Sequence, residues 1–107
     1  MSRRGEVRWA DFDPSIGGEI QKPRPAVILS NDAANAALNR VQVVPITSRV
    51  SRLYPGEAFV TLNGERRKAM ADQIATASKL HLHSRLGRHS GEDIAAVERA
   101  VRVQLRL

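Results

Sequence analysis

Cysteine is absent from this chain of 107 residues, and its absence removes several structural and chemical roles at once. Without thiols there is no disulfide, no thiolate nucleophile and no cysteine-ligated metal or iron–sulfur cluster. The fold must therefore be stabilised by packing, and a hydrophobic content of 42% suffices for one core. We expect a single domain over residues 1–107.

Long apolar runs are also missing. No apolar stretch resembling the core of a signal peptide follows the two arginines of residues 1–5 (MSRRG), and no segment is long enough to span a bilayer. We therefore expect a cytoplasmic protein that does not associate with membranes.

Negative charge is in deficit. The chain has 17 lysines and arginines against 11 aspartates and glutamates, which gives a formal charge of +6. An excess of this sign favours binding to phosphate backbones, but an acidic protein partner or a merely basic surface fits the composition equally well.

Several short strand-like segments follow one another and are separated by turn signals. Asn63-Gly64 predicts a two-residue hairpin turn, and Pro45 predicts that its strand ends at a bulge or an edge, with Thr47 just beyond. The predicted strands are Val7–Phe12, Pro25–Ser30, Val41–Ile46, Glu57–Leu62, Lys68–Thr76 and Arg85–His89.

Helical signals are fewer. Ala33–Leu38 predicts a turn or two of helix and Ser78–His83 a single turn, whereas the segment that begins at Ser90 predicts the one long helix. Ser90 has the character of a capping residue, with Asp93 three positions later. The apolar side chains expected to pack on the sheet recur at helical spacing and are Ile94, Val97, Val101 and Leu105.

The three histidines do not form a pattern that predicts catalysis or metal binding. His81 and His83 are two residues apart in a predicted short helix and diverge, and His89 stands beside the capping Ser90. We assign them surface or capping roles. The chain has no helical His/Glu ligand pattern, acidic calcium loop or phosphate-cradling glycine loop, so neither a metal site nor a cofactor is predicted.

Two polar residues stand at the ends of predicted buried strands. Arg24 lies between two prolines, whose stiff backbone can hold a guanidinium for phosphate recognition, but pairing with Glu19 or capping of a turn explains it as well. Thr47 offers a hydroxyl, in a position that is also common for a structural threonine. Taken alone, neither residue identifies an activity.

Together, however, ordered fragments of the chain resemble the MazF/PemK family of ribonuclease toxins. The resemblance covers nearly the whole chain. The fragments in its first part are RGEV at 4–7, WADFDP at 9–14, GGE at 17–19 and RPAVILSND at 24–32. Those in its second part are VVPITS at 43–48, ADQIAT at 71–76, LG at 86–87 and the final helix.

The resemblance implies an α+β fold, in which a small curved antiparallel sheet of the barrel-like SH3 type, as in the MazF, CcdB and Kid toxins, carries short helices and a C-terminal α-helix. It also implies a homodimeric toxin of a type II toxin–antitoxin system that cleaves single-stranded RNA at specific sequences without metal or cofactor. Attack of the ribose 2′-hydroxyl on the adjacent phosphate leaves 2′,3′-cyclic phosphate and 5′-hydroxyl ends. Cleavage of messenger RNA, or of transfer or ribosomal RNA, then inhibits translation and growth.

Matched by position, Arg24 corresponds to the family's catalytic arginine and Thr47 to its catalytic threonine. Arg24 is expected to hold the scissile phosphate and stabilise its charge, either with or without a role as general acid, and Thr47 to bond a non-bridging oxygen. The residues expected to contact RNA are Glu19, Lys22, Ser48, Arg49, Asp72 and Gln73.

The chain departs from one branch of the family. Where some PemK-like members have a histidine in the first loop and an arginine and an aspartate in the third motif, this chain has Gly18, Met70 and Asp72. Only the aspartate is retained, so the resemblance does not imply a histidine-assisted mechanism here.

Aromatic side chains are scarce, which bears on how RNA bases would be selected. Trp9, Phe12, Tyr54 and Phe59 are the complete set, and Trp9 is expected in the core. We therefore expect base selection to rest mainly on polar loop groups and on the backbone.

The resemblance also implies a partner, a MazE-like antitoxin whose acidic extended segment covers the RNA path. Two alternatives stay open. One is a CcdB-like toxin that binds gyrase, although that branch relies on a C-terminal tripeptide beginning with tryptophan and this chain ends QLRL. The other is a noncatalytic nucleic-acid-binding module of the same fold.

Overall fold

The computed structural model describes residues 2–12 and 23–107, which form seven strands, two α-helices and two 3-10 turns. The strands are β1 (Glu6–Ala10), β2 (Arg24–Ile28), β3 (Arg40–Thr47), β4 (Glu57–Leu62), β5 (Glu65–Met70), β6 (Ala75–Ser78) and β7 (Leu82–Arg88). The helices are α1 (Asp32–Ala37) and α2 (Gly91–Leu105), and two 3-10 turns cover Ala71–Gln73 and Lys79–His81.

The described strands form a curved antiparallel sheet in the spatial order β4-β5-β3-β2-β1-β7, with β6 also paired to β3. The central strand β3 therefore has β2 along one side and two partners along the other. On that second side, β6 pairs with Arg40 to Val43 and β5 pairs with Ile46 and Thr47. The predicted α+β fold with a C-terminal helix is confirmed.

The two faces of the sheet carry two separate apolar clusters, because alternate residues of a strand point to opposite faces. On one face α2 packs through Val97 and Ala100 against residues of five strands, among them Val7, Val27 and Val44, which are fully buried. The opposite face carries the second cluster, which consists of Ala10, Ala26, Ile28, Val41, Val43 and Ala77. We call this second face the Arg24 face, since Arg24 lies at its end.

Pro45 does not end its strand, contrary to the sequence-based expectation. β3 continues through Pro45, which is buried and pairs with Ala26, and ends at Thr47. A proline is tolerated because β3 changes partner on its other side between Val43 and Ile46, so Pro45 stands at a break in that ladder. Thr47 is therefore the last residue of the strand instead of lying beyond it.

The locally encoded elements agree well with their predictions. Asn63 and Gly64 both have positive φ, 51° and 81°, as a hairpin turn of the primed type requires. The Ser90 hydroxyl accepts a hydrogen bond from the Asp93 amide at 3.1 Å and caps α2. The prediction of one continuous strand over 68–76 was wrong, because the 3-10 turn at Ala71–Gln73 separates β5 from β6.

Two apolar side chains are more exposed than predicted. Leu105, the last residue of α2, was expected on the packed stripe but is 50% exposed. Trp9, expected in the core, is 36% exposed near the end of β1.

Candidate active site

The register of the sheet brings Arg24 and Thr47 together. Arg24 is the first residue of β2, is exposed, and pairs with Ala10 of β1. Ala26 pairs with Pro45 of β3 as the last pair of this ladder, and Arg24 and Thr47 each lie two residues beyond it on their own strands. Because residues two apart share a face, both side chains belong to the Arg24 face at the same end of the sheet.

The Thr47 hydroxyl has a defined orientation. Its Oγ1 accepts a hydrogen bond from the backbone N–H of Arg49 at 3.2 Å. A threonine hydroxyl has one donor and two acceptor positions, so this contact leaves its O–H free to donate. Ser48 and Arg49 follow directly and are exposed, which places their side chains at the same end of the sheet.

The third motif lies on the other side of β3 from Arg24. Asp72 and Gln73 are exposed residues of the 3-10 turn between β5 and β6, and this turn contacts β3 where the strand changes partner. The Gln73 side-chain amide is within 3.5 Å of the Met70 sulfur. Of the predicted RNA contacts, Glu19 and Lys22 lie outside the described residues.

Sequence reasoning missed a buried ion pair beneath the site. Lys68 lies directly opposite Thr47 in the β3–β5 ladder and is only 6% exposed. Its ammonium donates to the Glu57 carboxylate at 2.8 Å and to the Arg52 carbonyl at 2.6 Å. Lys68 thereby ties the segment that follows Thr47 to the sheet, and no local sequence signal indicates this role.

The charge of Glu57 is favoured in this environment. Burial by itself would raise the pKa of the Glu57 carboxyl. Hydrogen bonds from the Lys68 ammonium and from the Tyr54 amide outweigh burial and hold the pKa below its usual value. The buried pair is therefore an ion pair at neutral pH.

Two of the histidines have polar partners of their own. The His83 Nε2 is 2.7 Å from the Asp11 carboxylate, and β1 separates β7, the strand of His83, from Arg24 on β2. His89 is 4% exposed, stands next to the cap of α2 and contacts the Thr61 carbonyl through Nδ1 at 3.0 Å. Burial lowers the pKa of His89.

The site is electrostatically positive. Within residues 2–12 and 23–107, no carboxylate forms an ion pair with Arg24, Arg49, Arg52 or Arg66. The same residues bring together no group of three or more His, Asp or Glu side chains suited to a metal ion.

Within residues 2–12 and 23–107, no helix combines the length and apolar character needed to cross a membrane.

Over nearly its whole length the chain is similar to known toxins. The profile of a family described as PemK-like, MazF-like toxin of type II toxin–antitoxin system matches residues 3–105. The endoribonuclease MazF9 of Mycobacterium tuberculosis H37Rv is 37% identical over an alignment of 116 positions, gaps included, which covers all of this chain and 98% of the relative. The endoribonuclease toxin MazF of Escherichia coli K12 is 42% identical over 72 residues, which cover 65% of this chain and 62% of the relative.

Solved structures show the same fold. MazF from Deinococcus radiodurans superposes with a TM-score of 0.82 at 26% identity, over 98% of this chain and 96% of that one. A mycobacterial endoribonuclease in complex with its cognate antitoxin gives a TM-score of 0.82 at 25% identity, over 100% and 97%. With the family profile spanning nearly the whole chain, this protein belongs to the PemK-like, MazF-like endoribonuclease toxins of type II toxin–antitoxin systems.

Proposed function

We propose that this toxin cleaves single-stranded RNA at specific sequences by an internal transesterification that needs no metal. The ribose 2′-oxygen forms a bond to the adjacent phosphorus while the bond from phosphorus to the 5′-oxygen breaks. The 2′-hydroxyl gives up its proton, the departing 5′-oxygen gains one, and the ends are a 2′,3′-cyclic phosphate and a 5′-hydroxyl. Because the substrate supplies the nucleophile, the protein has to orient the phosphodiester and stabilise its charge.

Arg24 and Thr47 carry these two tasks in the proposal. The exposed guanidinium of Arg24 binds two phosphate oxygens at once, as its planar fork allows. The Thr47 O–H, left free by the contact with the Arg49 amide, donates to a non-bridging oxygen. The observation that supports this assignment most directly is the β2–β3 register, which sets both side chains on one face.

The remaining predicted residues have supporting roles in the proposal. Ser48 and Arg49 extend the phosphate-binding surface beyond Thr47, and Asp72 and Gln73 contact bases from the far side of β3. Glu19 orients Arg24 or contacts RNA, and Lys22 contacts phosphate. Since RNA is the substrate, we place the action of the toxin in the cytoplasm, where it inhibits translation.

The test is cleavage of a long unstructured RNA in excess EDTA by the wild type, Arg24→Ala and Thr47→Ala, with analysis of the product ends. We expect the wild type alone to cut efficiently and to leave cyclic phosphate and 5′-hydroxyl ends. Loss of one donor to the transition state typically lowers the rate about 10²–10³-fold. Dependence of wild-type cutting on added Mg²⁺, or 5′-phosphate ends, would contradict the chemistry.

Arg40→Ala is the matched control for charge. Arg40 begins β3, seven residues before Thr47, and is exposed at the far end of the strand. The substitution Arg40→Ala therefore removes one positive charge without altering the Arg24–Thr47 pair. We expect its rate to stay within about threefold of the wild type, as surface charge changes act weakly at this distance.

We further propose that the toxin is a homodimer. A groove of about 350 Å³ lies between α2, the edge strand β4 and the segment at Leu53 and Pro55, and its floor includes Ala96 and Ala100. Two of the residues that line it are large exposed apolar side chains, Leu53 at 45% and Val103 at 59%. An apolar patch of this kind marks an interaction surface, and we assign its α2 side, at Ala96, Ala100 and Val103, to a second copy. Light scattering of Val103→Glu should show a loss of dimer.

The antitoxin is proposed to compete with RNA for the basic face. One structural relative was solved in complex with its cognate antitoxin. The +6 charge favours an acidic extended segment of a MazE-like partner, and so does the absence of an ion pair at Arg24 or Arg49 with any carboxylate of residues 2–12 and 23–107. Binding of that segment and of RNA should be mutually exclusive, and a stable ternary complex with uncut RNA would disprove this.

Against the alternatives of a gyrase-binding toxin and a purely binding module stand the names of two relatives, the MazF endoribonucleases of M. tuberculosis and E. coli. Absence of cutting by the folded wild type on several RNA sequences would restore them.

A further inference from the structure

We propose that the surface beside Thr47, formed by Tyr54, Phe59 and the arginines Arg52 and Arg66, stacks the bases of single-stranded RNA flanking the cleaved bond. This inference rests on the proposed nuclease function and adds a base-binding surface to it. We call these four residues the stacking surface.

The stacking surface continues the Arg24 face across two further strands. Lys68 of β5 lies directly opposite Thr47 of β3, and Phe59 of β4 lies directly opposite Lys68. Directly opposed residues in an antiparallel ladder point to the same face, and each strand adds about 5 Å. Phe59 is therefore about 10 Å from Thr47 along the same surface, within reach of a neighbouring nucleotide.

Both aromatic rings of this surface are covered by an arginine. The Arg66 guanidinium carbon lies 3.7 Å from the centroid of Phe59, and that of Arg52 lies 5.4 Å from the centroid of Tyr54. Arg52 and Arg66 are exposed and Tyr54 is 53% exposed. A guanidinium plane backed by a ring presents a flat, positively charged surface to solvent, and RNA-binding proteins stack bases on such planes.

The buried pair beneath keeps Tyr54 in place. The Lys68 ammonium lies 5.6 Å from the centroid of the Tyr54 ring and bonds the carbonyl of Arg52. The Tyr54 amide donates to the Glu57 carboxylate at 2.8 Å. These contacts hold an otherwise exposed segment against the sheet, so the ring is ordered before any ligand binds, which lowers the entropic cost of stacking.

The charge balance favours a polyanion with flat bases over an acidic protein segment. Glu57 is already neutralised by Lys68, and among the described residues no carboxylate pairs with Arg52 or Arg66. An acidic peptide would satisfy the guanidinium charges but would leave the ring-backed planes without flat partners. Single-stranded RNA supplies both phosphates and bases.

The experiment compares two uncleavable decanucleotides by fluorescence anisotropy. One is a 2′-O-methyl RNA with bases, and the other has the same backbone with abasic sites. We expect Tyr54→Ala to weaken binding of the base-bearing strand about fivefold or more and to leave binding of the abasic strand unchanged. Arg66→Lys, which keeps the charge but loses the plane, should show the same selectivity, whereas Arg66→Ala should weaken both.

Three controls make the outcomes separable. Arg40→Ala removes a charge at the other end of β3 and should bind both strands nearly as the wild type does. Thermal melting shows whether each variant is folded, and Arg66→Lys carries the test should Tyr54→Ala unfold. Cleavage of a long RNA by the wild type is measured in parallel, so that the nuclease function is tested separately.

Equal binding of the base-bearing strand by Tyr54→Ala, Arg66→Lys and the wild type would overturn the stacking surface while leaving RNA cleavage intact. Equal loss of affinity for both strands in Tyr54→Ala would also overturn it, because stacking cannot weaken an abasic ligand. A wild type that neither cuts nor binds RNA would remove the proposed function together with this inference.

Discussion

Lys68 stands directly opposite Thr47 in the β3–β5 ladder, with its ammonium buried under the segment that follows that threonine. Lys68 therefore neighbours the candidate catalytic hydroxyl and also contributes to the stability of the fold. Among the described residues its only carboxylate partner is Glu57, which is itself largely buried.

Removal of the Lys68 charge should destabilise the protein strongly. Lys68→Met leaves the Glu57 carboxylate buried without its partner, and breaking a buried pair in this way costs about 3–5 kcal/mol. The double variant Lys68→Met/Glu57→Met should recover most of that loss, because both charges are gone. Urea unfolding monitored by circular dichroism measures both values, and equal stabilities of single and double variants would contradict the buried ion pair.

The Thr47 hydroxyl, and not the shape of the side chain, should determine cleavage. Thr47→Val keeps the β-branched shape but removes the donor, and we expect kcat/KM to fall about 10²-fold. Thr47→Ser retains the hydroxyl and should lose about tenfold or less. Both values come from initial rates on one RNA, and a Val variant as active as the Ser variant would rule out hydrogen-bond donation by Thr47.

Stability should decrease in mild acid because of His89. Burial lowers its pKa, so the unfolded chain takes up a proton before the native protein does. The contribution is complete above the ordinary histidine pKa of about 6.5 and is lost as the pH falls below that value towards the lowered one. The Nε2 of His89 has no hydrogen-bond partner in the described part of the chain, so a proton added there forms no hydrogen bond that would stabilise the charged imidazole.

The measurement for His89 is Tm against pH from 8 to 5, in the wild type and in His89→Leu. The wild type should lose stability below about pH 6.5, while the leucine variant, although less stable overall through loss of the contact with Thr61, should show a flatter profile over this range. His81→Leu is the matched control, since His81 is exposed. Parallel profiles for all three proteins would exclude His89 as the group responsible.

The pair of His83 and Asp11 should not take part in cleavage. The imidazole is already paired with Asp11, and β1 stands between its strand, β7, and Arg24 on β2. We expect His83→Gln to keep kcat within about twofold of the wild type and to leave the pH–rate profile unchanged. If the pH–rate profile of His83→Gln lost one of its limbs, His83 would instead be assigned a role in proton transfer.

Local signals in the sequence predicted the local parts of the fold correctly. The Asn63-Gly64 turn, the Ser90 cap and the buried run before Ser30 all depend on neighbours a few residues away. The end of β3 was predicted less well, because whether a proline is tolerated depends on which strand faces it. That arrangement involves β2, β5 and β6, which are distant along the chain.

The site was predicted only in part for the same reason. Resemblance to the family identified Arg24 and Thr47 as individual residues. It did not indicate Lys68, whose partner Glu57 is 11 residues away, or the contact of His83 with Asp11, which is 72 residues away. Nor did it indicate the contact of Arg66 with the Phe59 ring, because cation–π geometry of this kind depends on side chains meeting across strands.

By itself, the sequence determined membership of the toxin family and the composition of the proposed active surface, namely its positive charge, its arginine between two prolines and its strand-terminal threonine. The tertiary structure alone decided that these groups share one face. Burial of alternate residues sets the register between β2 and β3, and a shift by one residue would turn Arg24 or Thr47 to the opposite face.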